Sequence, residues 1–313
     1  MAHKLPRRVT AITLCLVPVL ATACGATAAS RTFIGDPPMA VLFLENHSLA
    51  EITRDRADMP FLNAMWNHTA GFPTRDFTHY LGTCNEVGPS CKGSMPNYEA
   101  VTTGAMAQRS DAAAFGVDTN PDLFSQIGSA GLSWANYAEG IPGPCSKVIS
   151  HNDTATDGQY VMRHVPALLD HHAATSSQCA NDVTGIISYR ALPQFTFITP
   201  NICDDMHGLG ATAAAHSRFA NCLRGSDALE RRTDSWVRNV VTRLVAAGAT
   251  VFITFDESKA GKVPLYAVMA GAGITPGRDN AHYDHYSLLA GIEKRLGYPR
   301  LANAARATPI PWP

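Results

Sequence analysis

Residues 235–257 read SWVRNVVTRLVAAGATVFITFDE, and a helix signal, a strand signal and two acids follow one another in this stretch. The apolar residues of its first half fall on one helical stripe: Trp236, Val237, Val240, Val241, Leu244 and Val245. They predict a helix over 235–247. The apolar run 250–255 is typical of a buried strand, and the carboxylates Asp256 and Glu257 follow it directly.

The same alternation extends along the chain. Apolar runs predict further buried strands at 39–44, 195–199 and 265–270, with a weaker one at 132–138. A second amphipathic helix is predicted at about 285–296. Alternating buried strands and amphipathic helices imply an α/β fold, in which helices cover both faces of a largely parallel sheet.

Polar residues follow three of these strands. Glu45 and Asn46 come after the first, Asn201 after the second, and Asp256 and Glu257 after the third. Ligand sites of open α/β sheets gather at the carboxyl ends of the strands, so we expect these side chains to meet. Adjacent buried carboxylates need a compensating charge, and such oxygen-rich groups bind hard cations. The alternative is that they are solvated loop residues.

A candidate nucleophile lies in the segment 93–104, GSMPNYEAVTTG. Pro96 suits the first turn of a helix, which places Ser94 at or just before the N-cap. There a hydroxyl and a bound phosphate would both meet free backbone N–H groups and the positive end of the helix dipole. The alternative is that Ser94 only caps the helix. Thr83 and Ser90 are rival nucleophiles, although neither precedes a helix start.

The N-terminus has the features of an export signal. Basic residues precede a short apolar stretch, 11–23, and small residues follow it. We therefore expect residues 1–29 to be removed and 30–313 to form one domain in a secreted protein. A retained membrane anchor and lipidation at Cys24 are the alternatives. The segment would take three of the 25 basic residues, leaving 22 against 26 acidic ones, a poor balance for nucleic-acid binding.

Six cysteines remain beyond that segment: Cys84, Cys91, Cys145, Cys179, Cys203 and Cys222. An even number in an exported chain indicates disulfides. The sequence leaves the pairing open. We favour Cys84–Cys91 and Cys203–Cys222, because each would close a loop beside a proposed site segment. A zinc site is disfavoured because no CxxC spacing is present.

Seven motifs in order resemble the bacterial phosphoesterase family of secreted acid phosphatases and phospholipases C, which is related to the alkaline phosphatase superfamily. Together they cover most of residues 39–304: Glu45-Asn46-His47-Ser48, Ser94-Met95-Pro96-Asn97-Tyr98 with Thr103-Gly104, Trp134 to Gly140, Arg163-His164-Val165-Pro166, Thr199 to His207, Phe252 to Glu257, and His285 to Leu289. The sequence departs from the family at Ser258, where Gly is usual, and in a longer segment between His79 and Ser94.

The resemblance implies a metal site and a covalent mechanism. A divalent cation (Mg, Ca, Mn, Zn or Fe) would be held by Glu45, Asn46, Asp256 and Glu257, and would touch the Ser94 hydroxyl. Ser94 would attack phosphorus to give a phosphoserine, which water then hydrolyses.

The substrate-binding residues are likewise implied by the family motifs. Asn97 and Asp205 are expected in the substrate site, His207 as the general acid, and His164 and His285 as phosphate ligands. In an alternative arrangement Asp205, His207 and His285 would ligate a second metal.

The expected function is hydrolysis of phosphomonoesters at mildly acid pH. Within the family, the short length and these motifs look most like phosphatidylinositol-3-phosphatases, which suggests a phosphoinositide headgroup as substrate, reached without a stable membrane span. A phospholipase C-type phosphodiesterase shares the same motifs. A non-catalytic surface lipoprotein that binds phosphorylated ligands is the remote alternative.

Overall fold

A computed structural model of the chain describes residues 1, 36–153, 155, 157–215 and 219–313. The residues described after position 35 belong to one compact unit. The predicted export segment, with Cys24, lies outside the described residues apart from Met1. None of the helices in the described ranges is long and apolar enough to cross a membrane.

An eight-stranded sheet is at the centre of this unit, with strand order β10-β2-β9-β8-β1-β7-β3-β6. The β9 strand runs antiparallel to both of its neighbours, and the other pairings are parallel. A separate antiparallel pair is formed by β4 and β5. The strands are β1 Met39–Leu44, β2 Thr74–Leu81, β3 Trp134–Ala138, β4 Ser150–Asp153, β5 Gly158–Val161, β6 Val183–Thr184, β7 Phe195–Thr199, β8 Thr250–Phe255, β9 Ala267–Gly271 and β10 Gly277–Asp284.

Helices surround the sheet, and short 3₁₀ helices lie at Met162–His164 and Ala302–Ala305. The helices are α1 Leu49–Arg54, α2 Pro60–Trp66, α3 Thr83–Val87, α4 Met95–Thr102, α5 Leu123–Ser129, α6 Pro166–Leu169, α7 His171–Ala174, α8 Cys179–Asp182, α9 Ala211–Ala214, α10 Asp227–Ala246 and α11 His285–Leu296. The predicted α/β class with a largely parallel sheet is confirmed.

The predicted boundaries hold for β1, β7, β8 and α11. The helix predicted from 235 was wrong in its start, since α10 begins at Asp227 and Ser226 is its N-cap. The added turns have few apolar residues, and one of their buried side chains is Asp234. Its carboxylate accepts N–H groups of Phe61 and Leu62 at the start of α2. This buried polar contact replaces the apolar stripe that sequence patterns detect.

Each face of β1 packs against different helices. Leu42 and Leu44 belong to an apolar cluster that includes residues of α2 and α10. On the opposite face, the Phe43 ring lies 4.9 Å from Tyr98 of α4 and 5.0 Å from His285 of α11, between ring centroids. The core therefore lies on both sides of the sheet, as the alternating pattern predicted.

Three disulfides are formed within this unit. Two are the favoured pairs, Cys84–Cys91 and Cys203–Cys222, and the third joins Cys145 to Cys179.

Candidate active site

The carboxyl ends of β1 and β8 lie side by side, because Leu44 is in parallel register with Phe255. Glu45 and Asp256 are the next residues on the two strands, and both side chains are fully buried. Asn46 connects them. Its backbone N–H and its side-chain amide donate to Asp256 Oδ1 at 2.8 and 3.0 Å, and the amide also donates to Glu45 Oε2 at 2.9 Å.

Ser94 occupies the N-cap position of α4, but its hydroxyl does not cap the helix. It donates instead to Glu45 Oε2 at 2.6 Å. The backbone N–H of Met95, in the first turn of α4, donates to Asp111 Oδ1 at 3.0 Å. The reading of Ser94 as a simple helix cap is therefore wrong. Gly93 has φ +95°, and a Cβ there would lie 2.4 Å from the Asp111 carboxylate, so this turn requires glycine.

His164 lies between two carboxylates and is wholly buried. Its Nε2 is 3.2 Å from Glu45 Oε1, and its Nδ1 is 3.2 Å from Asp205 Oδ2. Its ring stacks on Tyr98 at a centroid distance of 5.3 Å, and the Tyr98 hydroxyl donates to Glu45 Oε1 at 2.8 Å. Glu45 thus contacts both the serine and the imidazole, one through each carboxylate oxygen.

The charges at this site are poorly balanced. Burial, with the neighbouring Asp256 and Asp205, raises the pKa of Glu45 well above its usual value. Burial likewise raises the pKa of Asp205 strongly and that of Asp256 to about 6, and it lowers the pKa of His164 well below its usual value. In the described residues, neither His164 ring nitrogen nor Asp205 Oδ2 has a partner in hydrogen-bonding geometry.

A divalent cation fits this donor set. One ligand atom from each of Glu45, His164 and Asp205 lies within 4.8 Å of the others. The two 3.2 Å contacts use different ring nitrogens of His164, so a single ion could be held by only one of these nitrogens together with an oxygen from each acid. His164 and Asp205, which we expected in the substrate site, therefore lie with Glu45 as candidate metal ligands.

Glu257 and Asn97 lie at the edge of this group. Asn97 Nδ2 is 3.5 Å from Glu257 Oε2, while its Oδ1 accepts the N–H of Cys84 at 2.9 Å. Burial, reinforced by Asp256, raises the pKa of Glu257 to about 8. Neither Asp256 nor Glu257, both predicted as metal ligands, belongs to the compact set of Glu45, His164 and Asp205.

His207 is partly buried and lies beside His164. Its ring centroid is 6.0 Å from that of His164, and its Nδ1 is 2.9 Å from the Gly208 carbonyl oxygen. Burial, with the adjacent Arg224, lowers its pKa to about 4.

His285 does not have the surroundings expected of a phosphate ligand. It is fully buried, and both ring nitrogens are engaged by protein groups: Nδ1 lies 2.8 Å from the Tyr80 hydroxyl and Nε2 lies 2.5 Å from the Asp256 carbonyl oxygen. It stabilises the backbone behind Asp256. The alternative second metal site of Asp205, His207 and His285 is not assembled here, because the ligand set that contains Asp205 has Glu45 and His164 as its other members.

Sequence reasoning assigned no role to Tyr98, Arg163 or Lys259. The half-buried Arg163 adds positive charge near His164 and Asp205, and its Nε lies 3.7 Å from Asp111. Lys259, which is exposed, is close enough to interact with Asp256 and Glu45. Tyr98 and Arg163 lie inside the motifs that resemble the family, and this position could have marked them as site residues. Lys259 lies outside those motifs, so nothing in the sequence pattern marked it.

Comparison with known proteins finds similarity to phosphatases. A phosphatidylinositol-3-phosphatase of Mycobacterium tuberculosis is 28% identical over 230 residues, which cover 69% of this chain and 67% of that protein. An acid phosphatase of Aspergillus fumigatus is 26% identical over 237 residues, covering 67% of this chain and 47% of that protein. The chain thus spans about half the length of this fungal relative.

The fold is also found among solved structures. A protein of the alkaline phosphatase superfamily from Vibrio parahaemolyticus superposes with a TM-score of 0.53 at 8% identity, over 86% of this chain and 69% of that one. The predicted alkaline-phosphatase-like fold is confirmed. The sequence profile of the phosphoesterase family matches residues 81–299. The chain therefore belongs to the phosphoesterase family, as the order of its motifs indicated.

Proposed function

We propose that the chain is an exported, divalent-metal-dependent acid phosphatase that transfers the phosphoryl group of a phosphomonoester to Ser94. The observation that carries the proposal is the 2.6 Å contact from the Ser94 hydroxyl to Glu45, at the start of α4 and among buried carboxylates. This arrangement supplies an oxygen nucleophile with an acceptor for its proton.

The chain's own residues have distinct parts in the proposed reaction. Glu45 Oε2 accepts the Ser94 proton as the serine oxygen attacks phosphorus, and the substrate's alkoxide leaves on the opposite side. Arg163, Lys259 and Asn97 bind phosphoryl oxygens, and His207 donates a proton to the leaving group, taking up that proton when the dianionic phosphate raises its pKa. Water then hydrolyses the phosphoserine and regenerates Ser94.

The proposed metal ligands are Glu45, His164 and Asp205, with Asn46, Asp256 and Glu257 at the neighbouring strand end. A divalent cation bound there would lower the pKa of the serine hydroxyl and neutralise charge on the phosphoryl oxygens. Oxygen ligands suit Mg, Ca and Mn, and the imidazole of His164 also admits Zn and Fe.

A phosphomonoester is favoured over a diester by the cations around the site. Arg163, Lys259 and Arg224 surround it, and a monoester carries more negative charge than a diester. The named activity of the mycobacterial relative suggests a phosphoinositide headgroup as one substrate. Export is supported by the three disulfides, which persist in oxidising compartments.

The test is replacement of the nucleophile. Ser94→Ala should lower kcat for an aryl phosphate by at least about 10³-fold, while metal content measured on the purified protein stays unchanged. Acid quenching during turnover should trap a phosphopeptide that contains Ser94. Ser90→Ala is the matched control, since Ser90 is an exposed neighbour on the same segment, and it should retain full activity. Normal turnover by Ser94→Ala would exclude the mechanism.

Side-by-side rates settle the substrate class. An aryl phosphate and a soluble phosphoinositide should be hydrolysed faster than bis(aryl) phosphate and phosphatidylcholine. The reverse order would favour the phospholipase C-type alternative. Absence of turnover with every divalent metal would favour a binding protein.

A further inference from the structure

The turn after β7 carries two residues of the candidate site and one strained backbone position. Asp205 Oδ2 is 3.2 Å from His164 Nδ1, and the ring of His207 lies beside the same imidazole. Between them in the sequence, Met206 has φ +79°, in the left-handed region that residues other than glycine seldom adopt. Such a conformation persists only where the surrounding structure holds it. The turn therefore depends on contacts made from outside it.

Two of these contacts link the turn to α10 and to β1. Met206 is fully buried and belongs to the apolar cluster that includes Val237 and Val240 of α10. On the other side, the Asp205 carbonyl accepts the N–H of Glu45, the residue after β1, at 2.8 Å. The turn is thus held between a helix on one face of the sheet and the end of a central strand.

Arg232 of α10 forms a polar anchor for the same turn. Its Nε donates to Asp204 Oδ1 at 2.7 Å, and its Nη2 donates to Asp204 Oδ2 at 2.9 Å. This is the two-bond fork in which a guanidinium fixes the orientation of a carboxylate. Asn201 Nδ2 donates to the same Oδ2 at 2.8 Å. The fork therefore fixes the residue directly before Asp205.

The guanidinium of Arg232 also reaches the segment that leads to His164. Its Nη1 donates to the Asp157 carbonyl at 3.1 Å, and β5 begins at the next residue. The 3₁₀ helix that contains His164 begins directly after the end of β5. One side chain thus joins the segments that carry Asp205 and His164, two of the three proposed metal ligands.

Burial distinguishes this ion pair from its neighbour on the helix. The side chains of Arg232 and Asp204 are 12% and 6% exposed, whereas those of Arg231 and its partner Asp58 are 56% and 18% exposed. Breaking a largely buried pair leaves a charge without compensation, while an exposed pair contributes little. Arg231 is therefore a matched control for Arg232.

We propose that Arg232 is a positioning residue, which fixes Asp205 relative to His164 and thereby sets the affinity of the site for a divalent cation. A guanidinium has no lone pair to offer a metal, so Arg232 acts through Asp204 and through the Asp157 carbonyl. This inference rests on the metal site of the proposed function and adds to it a residue that is not a ligand.

The sign of the change in metal affinity tests this role. By charge alone, removing a cation beside Asp204 should strengthen the binding of a metal ion to the adjacent Asp205. Loss of ligand position should weaken it, because residues that orient ligands raise metal affinity. Isothermal titration of chelated protein with MnCl₂, and separately with ZnCl₂, should therefore give a Kd at least about tenfold higher in Arg232→Gln than in wild type.

Two further variants complete the test. Arg232→Lys keeps the charge and loses the fork, so its Kd should lie between those of wild type and Arg232→Gln; it also serves should Arg232→Gln fail to fold. Arg231→Gln removes the same charge from the same helix, and its Kd should stay within about twofold of wild type.

The outcomes separate this role from the metal site itself. A Kd that is unchanged or lower in the folded Arg232 variants, even with a reduced Tm, would overturn the role of Arg232 and leave the metal site in place. Equal weakening in Arg231→Gln would overturn it as well, since the effect would then follow from helix charge alone. Binding of neither ion by wild type would overturn the metal site and this role together.

Discussion

The molecule contains two buried acidic regions of similar size and different surroundings. The first, around Glu45, also holds a serine hydroxyl, an imidazole and an asparagine amide. The second comprises Glu99, Asp118, Asp122 and Asp170, here called the Asp170 group; it forms no ion pair with arginine or lysine among the described residues, and the Ser125 hydroxyl donates to Asp122 Oδ2 at 2.9 Å. Both disfavour ionised carboxylates, but only the first has an imidazole between two of them. Buried acidity, even with a serine hydroxyl beside it, therefore indicates a need for compensating charge, and the added imidazole distinguishes the candidate active site.

Matched Glu-to-Gln substitutions test this contrast and should have the largest effect. Glu45→Gln removes the acceptor of the Ser94 proton and a proposed metal ligand, so kcat/KM for an aryl phosphate should fall by at least about 10³-fold. Glu99→Gln makes the same change in the Asp170 group, and its activity should stay within about threefold of wild type at saturating metal. Similar losses in both variants would show that the two regions act as one site.

The two buried histidines offer a sharper comparison. His164→Gln should lower activity by about 10²-fold at low metal, with partial recovery as metal is added, because an imidazole ligand is lost. His285→Gln removes contacts to Tyr80 and the Asp256 carbonyl, so it should chiefly lower the free energy of unfolding, by about 1–3 kcal/mol.

Metal-activation curves and chemical denaturation of both variants distinguish these outcomes. An unchanged metal requirement in His164→Gln would remove His164 from the ligand set.

A smaller effect is expected at Tyr98. Tyr98→Phe keeps the ring stacked on His164 but removes the hydroxyl that donates to Glu45 Oε1. Since one hydrogen bond to a charged group is worth about 1.5–3 kcal/mol, kcat should fall by about 10- to 100-fold. Thr102→Val is the matched removal of a hydroxyl near Asp170, and it should leave kcat unchanged. A wild-type kcat in Tyr98→Phe would mean that Glu45 is positioned by its other contacts.

Sequence patterns predicted the elements whose buried residues are apolar and missed those built on polar contacts. Strands β1, β7 and β8 were found with their boundaries because all their residues are buried. The first turns of α10 were missed because a buried side chain there, Asp234, is polar and accepts a backbone N–H at the start of α2. Mixed burial likewise hid β2 and β10.

Within the candidate site, strand ends could be predicted and side-chain partners could not. Parallel register brings Glu45 beside Asp256, and this follows from the position of acids after apolar runs. Motif membership selected His164 and His285 equally, but one lies between carboxylates and the other is fully hydrogen-bonded. That difference depends on contacts made across the fold, to Asp205 and Tyr80, which no local pattern encodes.

The smallest expected effect is the pH dependence of stability, measured in the presence of a chelator. Both acidic regions should contribute to it. Folding raises the pKa of Glu99 to about 8 and that of Asp256 to about 6. The folded state therefore binds protons more tightly than the unfolded chain, so this stabilisation is complete below the unfolded pKa, near 4, and is lost as pH rises through the folded values. The Tm of wild type in chelator should fall by about 5–10 °C between pH 5 and pH 8.

Single substitutions should divide that loss between the two regions. Asp256→Asn should flatten the profile mainly between pH 4 and 6, and Glu99→Gln should flatten it up to about pH 8, because each removes one group whose pKa is raised. A Tm that rises with pH in chelator would contradict the shared feature of both regions, namely that their carboxylates are buried without sufficient positive charge.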